Sequence, residues 1–156
     1  MGLIDFVRSA GAKLFGADEA AAAPATDPAV QSKRATALED HVRALGLTVG
    51  DLKIKVADDL AVVKGTVGTQ ADREKVVLAI GNTTGIGRVD DRLEVQRPEP
   101  EAVYYTVVSG DTLSKISKTQ YGDPNRYAII FEANKPMLKH PDKIYPGQVL
   151  RIPPAS

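Results

Sequence analysis

The run Tyr105-Thr-Val-Val-Ser-Gly-Asp-Thr-Leu-Ser-Lys-Ile-Ser117 constrains this chain more than any other stretch. A β-type segment from Tyr105 to Val108 leads into Ser109-Gly110-Asp111 and then into residues at helical spacing. Ser109 or Asp111 is placed to cap that helix, because a short side-chain oxygen accepts an N–H of the first turn. Leu113, Ile116 and Ser117 then share one face. The segment closes at Lys143-Ile-Tyr-Pro-Gly-Gln-Val-Leu-Arg-Ile-Pro153, a turn feeding a last strand. Strand, two helices and strand within about fifty residues make a compact layered module.

A chain of 156 residues holds one larger domain or two small ones. Twenty basic residues balance twenty acidic ones, which leaves no net electrostatic attraction for a phosphate backbone or an anionic membrane. The expectation is therefore no nucleic acid and no membrane partner. Cysteine is absent, which removes disulfides and thiolate metal sites. His41 and His140 are the only histidines, too few for a histidine-built transition-metal cluster. At the N-terminus Asp5 and Arg8 interrupt the apolar core that a signal peptide needs. Phe6 stands where N-myristoylation needs Ser or Thr. No segment has the roughly 20 apolar residues of a membrane span. These features predict a soluble, cytoplasmic monomer.

The fold class expected is α+β with two small domains. Leu3, Phe6, Val7, Ala10 and Leu14 recur at helical spacing and predict an amphipathic helix within residues 1–16, docked on its own protein. Residues 17–28 are rich in Ala, Asp and Pro and read as a linker. Residues 29–96 form the first domain, in the order α-β-β-α-β. Leu38, Val42 and Leu45 mark its first helix, which stops at Gly46. Leu52, Ile54 and Val56 alternate as a strand, Asp58-Asp59 turns, and Leu60, Val62 and Val67 continue as a hairpin partner. Thr69-Gln-Ala-Asp72 is a capping-box variant opening a helix that carries Val76, Val77 and Ile80 and ends at Gly81. Val89, Asp91, Leu93 and Val95 alternate as the final strand. A stiff charged connector, residues 97–102, precedes the second domain at 103–154.

No catalytic set is visible: neither histidine accompanies a nucleophile motif, and there is no phosphate loop. The expectation is a protein without enzymatic activity. Asp58-Asp59 and Asp90-Asp91 suit turn and surface roles, because alternation sends adjacent side chains to opposite faces. Tyr104, Tyr105, Tyr121, Tyr127 and Tyr145 suit the core and rim of a small module. Val77-Leu-Ala-Ile-Gly-Asn-Thr-Thr-Gly-Ile-Gly87 joins a helix C-terminus to a glycine-rich loop. The last helical carbonyls lack partners and sit at the negative end of the helix dipole. Gly81, Gly85 and Gly87 permit a backbone that turns carbonyls inward. An oxygen cage of that kind suits a large monovalent cation; calcium or magnesium calls for carboxylates, which this loop lacks. On chemistry alone the stretch reads as an ordinary left-handed helix cap and turn, in preference to an ion cage.

Tyr105-Thr106-Val107, Gly110-Asp111-Thr112-Leu113, Asn134, Pro146-Gly147-Gln148 and Leu150-Arg151-Ile152-Pro153, in that order, resemble a LysM domain over Tyr104 to Pro153. Lys64-Gly-Thr-Val67 and Gly85-Ile86-Gly87-Arg88-Val89 within the α-β-β-α-β order resemble a BON domain. The opening Met1, Gly2, Leu3, Phe6, Val7, Ala10, Gly11, Lys13 and Leu14, followed by both modules, is similar to the Kbp family of cytoplasmic bacterial potassium-binding proteins. That resemblance implies one K⁺ held by backbone carbonyls, with ordering of the BON domain and N-terminal segment on binding. Carried over by position, the ligands are the carbonyls of Val7, Ala10, Gly81, Thr83 and Ile86, with a further one unplaced. Thr83-Thr84 departs from the apolar residue and serine more typical of the family, and the Ala/Pro linker is longer. The implied role is an ion sensor that signals to an unidentified protein partner through the LysM domain.

A different class of function competes. LysM modules elsewhere bind N-acetylglucosamine polymers, here through Gly110, Asp111, Thr112, Leu113 and Asn134. A peptidoglycan-binding envelope protein would need export.

Overall fold

The computed structural model describes residues 2–6, 11 and 28–154. Helix α1 (Pro28–Ala44) buries Arg34, Leu38 and Val42, one per turn on a single face. It stops where Gly46 adopts φ 79° and donates its N–H to the Arg43 carbonyl at 3.0 Å. Strands β2 (Gly50–Ala57) and β3 (Leu60–Thr69) form the expected antiparallel hairpin, with Asp58 at φ 56° in the turn. The carbonyl of Asp59 accepts the N–H groups of Gly87 and Arg88 at 2.9 and 3.1 Å, so the hairpin turn also positions the loop ahead of the last strand. Thr69 caps helix α2 (Gln70–Gly81), its Oγ1 accepting the Asp72 N–H at 3.1 Å. Strand β4 (Arg88–Arg97) returns parallel to β3.

The N-terminus differs from the helix that its spacing predicts. Residues Gly2–Asp5 form a strand, β1, antiparallel to β4, and the sheet order is β1-β4-β3-β2. Leu3 is 55% exposed, whereas Ile4 packs on the core and Phe6 is buried. A period of two fits these residues as well as a period of 3.6. The open hydrogen-bonding edge of β4 decides between them, because an unpaired strand edge favours a strand partner. The remainder of the expected helix, with Val7 and Ala10, and residues 17–27 of the expected linker lie outside the described residues, while Pro28, its last position, already opens α1.

The second domain comprises β5 (Val103–Thr106), α3 (Leu113–Tyr121), a 3-10 turn (Pro124–Arg126), α4 (Tyr127–Ala133) and β6 (Val149–Ile152). Strands β5 and β6 pair antiparallel over a core of Val107, Leu113, Ile116, Ile130, Leu138, Leu150 and Ile152. The cap of α3 is Thr112, whose Oγ1 accepts the Lys115 N–H at 3.1 Å, and not Ser109 or Asp111. Asp111 instead accepts the Tyr105 hydroxyl at 2.6 Å and the Val108 N–H at 3.0 Å. These two donors hold its carboxyl below the usual carboxylate range.

Helix α2 joins the two modules. Every residue from Val76 to Gly81 is buried, because β3 and β4 cover one side and β6 of the second domain covers another. Glu74 and Arg151 form a buried ion pair across this junction, 2.8 Å from Nη2 to Oε1. Glu74 Oε2 also accepts the Gln70 amide at 3.0 Å and the Ala102 N–H at 2.9 Å, so the connector is fastened to the same carboxylate. Tyr104 lies beside this pair, and burial followed by the charges of Glu74 and Asp91 pushes its hydroxyl pKa up.

His41 faces the groove between α1 and the second domain. Burial lowers its pKa from 6.5, so the folded state favours the neutral ring. The unfolded chain therefore binds more protons as the pH drops through that range. Stability from this site is full above pH 6.5 and is lost as pH falls through the folded pKa. Thermal melts should show a midpoint falling below pH 6.5, and His41→Gln should flatten that dependence.

Candidate cation site at the end of α2

Helix α2 does not end in a left-handed glycine. Asn82 is its C-cap, at φ −81° and ψ 40°, and its N–H donates to the Leu78 carbonyl at 2.8 Å. Gly81 belongs to the last helical turn and is there for room. A Cβ on it would stand 2.1 Å from the Phe6 ring. Gly85 takes φ 101°, so the turn needs its conformational freedom. Thr83 and Ile86 are fully buried. The Thr83 hydroxyl donates to the Ala79 carbonyl at 3.1 Å, and its own carbonyl accepts the Ile86 N–H at 3.0 Å. Among the described residues, none donates a hydrogen bond to the carbonyl of Gly81 or Ile86.

The loop receives the N-terminal segment at three points. The Phe6 N–H donates to the Gly87 carbonyl at 2.9 Å. Thr84 Oγ1 donates to the Gly11 carbonyl at 3.1 Å. Gly11, at φ 106°, lies so close that a Cβ there would be 2.1 Å from the Asn82 oxygen. Gly81, Thr83 and Ile86 thus lie on one buried turn, which residues 6 and 11 contact. Val7 and Ala10 lie outside the described residues.

The donor chemistry of this turn is that of neutral carbonyls at a helix C-terminus. No cluster of three His, Asp or Glu side chains able to hold a metal occurs among the described residues. The aspartate pairs are engaged by arginines: Asp59 pairs with Arg88 at 3.5 Å, Asp90 with exposed Arg92, and Asp91 turns inward to Arg73 at 2.7 Å. The turn fits a weakly hydrated monovalent ion better than a divalent one.

The residues expected to contact a glycan are divided in their placement. Thr112 and Leu113 line a groove of about 320 Å³ with Ser114, Tyr127, Pro141 and Asp142. Gly110 is exposed at φ 90°. Asn134 is buried, 2% exposed, with both amide hydrogens committed, to the Ile130 and Arg151 carbonyls at 2.7 and 3.0 Å. It holds the module together and does not present itself to a sugar. Sequence reasoning missed Asn82 and Thr84, the two side chains that fasten the loop to its neighbours. Their only signal was a polar Asn-Thr-Thr run at the end of an apolar helix.

These elements define a two-module protein whose first domain contributes a buried glycine-rich turn at the end of α2 and whose second packs against that helix. The BON domain family matches residues 26–97, and the LysM domain family matches residues 105–153. The chain is 47% identical over 154 residues to "Potassium binding protein Kbp" of Escherichia coli O6:H1, covering 98% of this chain and 99% of that protein. It belongs to the family of that protein. A 49-residue stretch is also 51% identical to an uncharacterized protein of Deinococcus radiodurans, covering 31% of this chain and 19% of that one. Among the described residues, no helix is long and apolar enough to cross a membrane.

Proposed function

We propose that this chain is a cytoplasmic potassium sensor without catalytic activity, working as a monomer. The observation that carries the reading is its full-length similarity to a protein named for potassium binding. The buried turn after α2, with its carbonyl donors and docked N-terminal segment, supports it. One K⁺ would be held by the carbonyls of Gly81, Thr83 and Ile86 together with Val7 and Ala10 from the N-terminal segment. An ion that binds only the closed arrangement stabilises it by mass action and shifts the population toward it. The LysM domain would then pass that change to a protein partner.

Calorimetric titration with KCl, against NaCl at matched ionic strength, tests this. Saturable one-site binding of K⁺ with little response to Na⁺ is expected, and no response to either ion would end the reading. Thr83→Ala should leave K⁺ affinity nearly unchanged, since only the carbonyl is a ligand. The lost bond to Ala79 should still lower stability by about 1 kcal/mol in urea unfolding. A large loss of affinity would make the hydroxyl the ligand.

The glycan reading keeps one supporting observation, the groove lined by Thr112, Leu113 and Tyr127. Sedimentation with peptidoglycan is its test.

A further inference from the structure

We infer that Asn82 is a positioning residue for the cation turn, and that it makes the LysM domain part of the ion site. The inference rests on the potassium reading above and goes beyond it. Strand β6 pairs with β5 along one edge only. On its other edge Val149 and Arg151 point their N–H and C=O groups away from β5, and each pair is met by one asparagine side chain. Asn134 accepts the Arg151 N–H at 2.8 Å and donates to the Arg151 carbonyl at 3.0 Å. Asn82 does the same two residues earlier, accepting the Val149 N–H at 2.9 Å and donating to the Val149 carbonyl at 2.8 Å. The first asparagine belongs to the LysM module and the second to the BON module. The open edge of β6 is therefore completed across the domain boundary.

The position of Asn82 gives this clamp its consequence. It sits between Gly81 and Thr83, two of the proposed ligands. Its side chain is pinned to β6, its N–H to Leu78 and its carbonyl against Gly11. Any rotation of the 81–83 backbone that re-aims those carbonyls must break the pair of bonds to Val149 or move β6 with it. Ion occupancy and LysM docking are then two readings of one equilibrium, and each must favour the other by the same factor. The amide is specific for this work, because one side chain must offer a donor and an acceptor in the spacing of a peptide group.

The test compares the full-length wild type with Asn82→Leu, a neutral change of similar size; a carboxylate would add charge beside the cation. In KCl and NaCl titrations Asn82→Leu should bind K⁺ about tenfold more weakly, within the usual range of site-to-site coupling. Its preference for K⁺ over Na⁺ should also shrink, which a loss of stability alone would not cause. Wild-type affinity and selectivity in a folded Asn82→Leu protein would overturn the inference while leaving the potassium reading intact. Absence of binding by the wild type would remove the potassium reading and this inference together. Should Asn82→Leu fail to fold, hydrogen exchange at the Val149 N–H of the wild type decides. Slower exchange in KCl than in NaCl supports the clamp, and equal rates refute it.

Discussion

Alanine at position 81 will loosen the N-terminal strand and weaken K⁺ binding. The new Cβ would meet three atoms of the Phe6 ring at 2.1 to 2.3 Å, well inside van der Waals contact. Phe6 cannot simply withdraw. Its N–H is bonded to Gly87, and β1 before it is in register with β4 over four residue pairs. Overpacking of this kind costs about 1–3 kcal/mol. The strain falls where the N-terminal segment meets the turn after α2, the proposed ion site, so affinity should drop with stability. Phe6→Leu in the Gly81→Ala background should restore part of the unfolding midpoint by giving the methyl room. Urea unfolding and KCl calorimetry on the single and double variants check this. An unchanged midpoint and affinity for Gly81→Ala would show that the contact is not limiting.

Removing Glu74 should cost more. Its carboxylate is 2% exposed and serves Arg151, Gln70 and the Ala102 N–H at once. In Glu74→Ala the Arg151 guanidinium stays buried with, among the described residues, only the Ala133 carbonyl as a remaining acceptor. Breaking one side of a buried pair costs about 3–5 kcal/mol. At roughly 2–4 °C per kcal/mol for a chain of this size, the melting midpoint should fall by about 10 °C. Glu74→Leu combined with Arg151→Met should recover much of the loss, because two apolar residues leave no unpaired charge. A Glu74→Ala midpoint within a degree of wild type would mean that water reaches the junction and the pair is not buried in solution.

Much of the fold is legible in the sequence. The two modules, their α-β-β-α-β and β-α-α-β orders, the Thr69 cap and the stop at Gly46 follow from periodicity and short-range chemistry. Capping and alternation are local, so residues a few positions apart decide them. The site was legible only in part. That the chain turns sharply after α2 could be read from glycines at a helix end, but the reason for each glycine could not. Gly85 is needed for its backbone angle, whereas Gly81 is needed because Phe6, 75 positions earlier, occupies the space a side chain would take.

The N-terminus shows the same division. Its apolar spacing allowed helix or strand, and the choice was made by the unpaired edge of β4, which no property of residues 1–6 encodes. Asn134 looked like a glycan contact because it stands in a recognisable motif, and its burial comes from β6 folding back on α4. Sequence alone determined part of what each segment can become: the start of α2 at Thr69, the stop of α1 at Gly46, and that no thiolate or histidine cluster exists. Tertiary structure decided what each segment faces. Hydrogen-bond donors at Asn82, Thr84 and Phe6 find partners 67, 73 and 81 residues away. Contacts of that range depend on how whole elements pack, which local residue patterns do not specify.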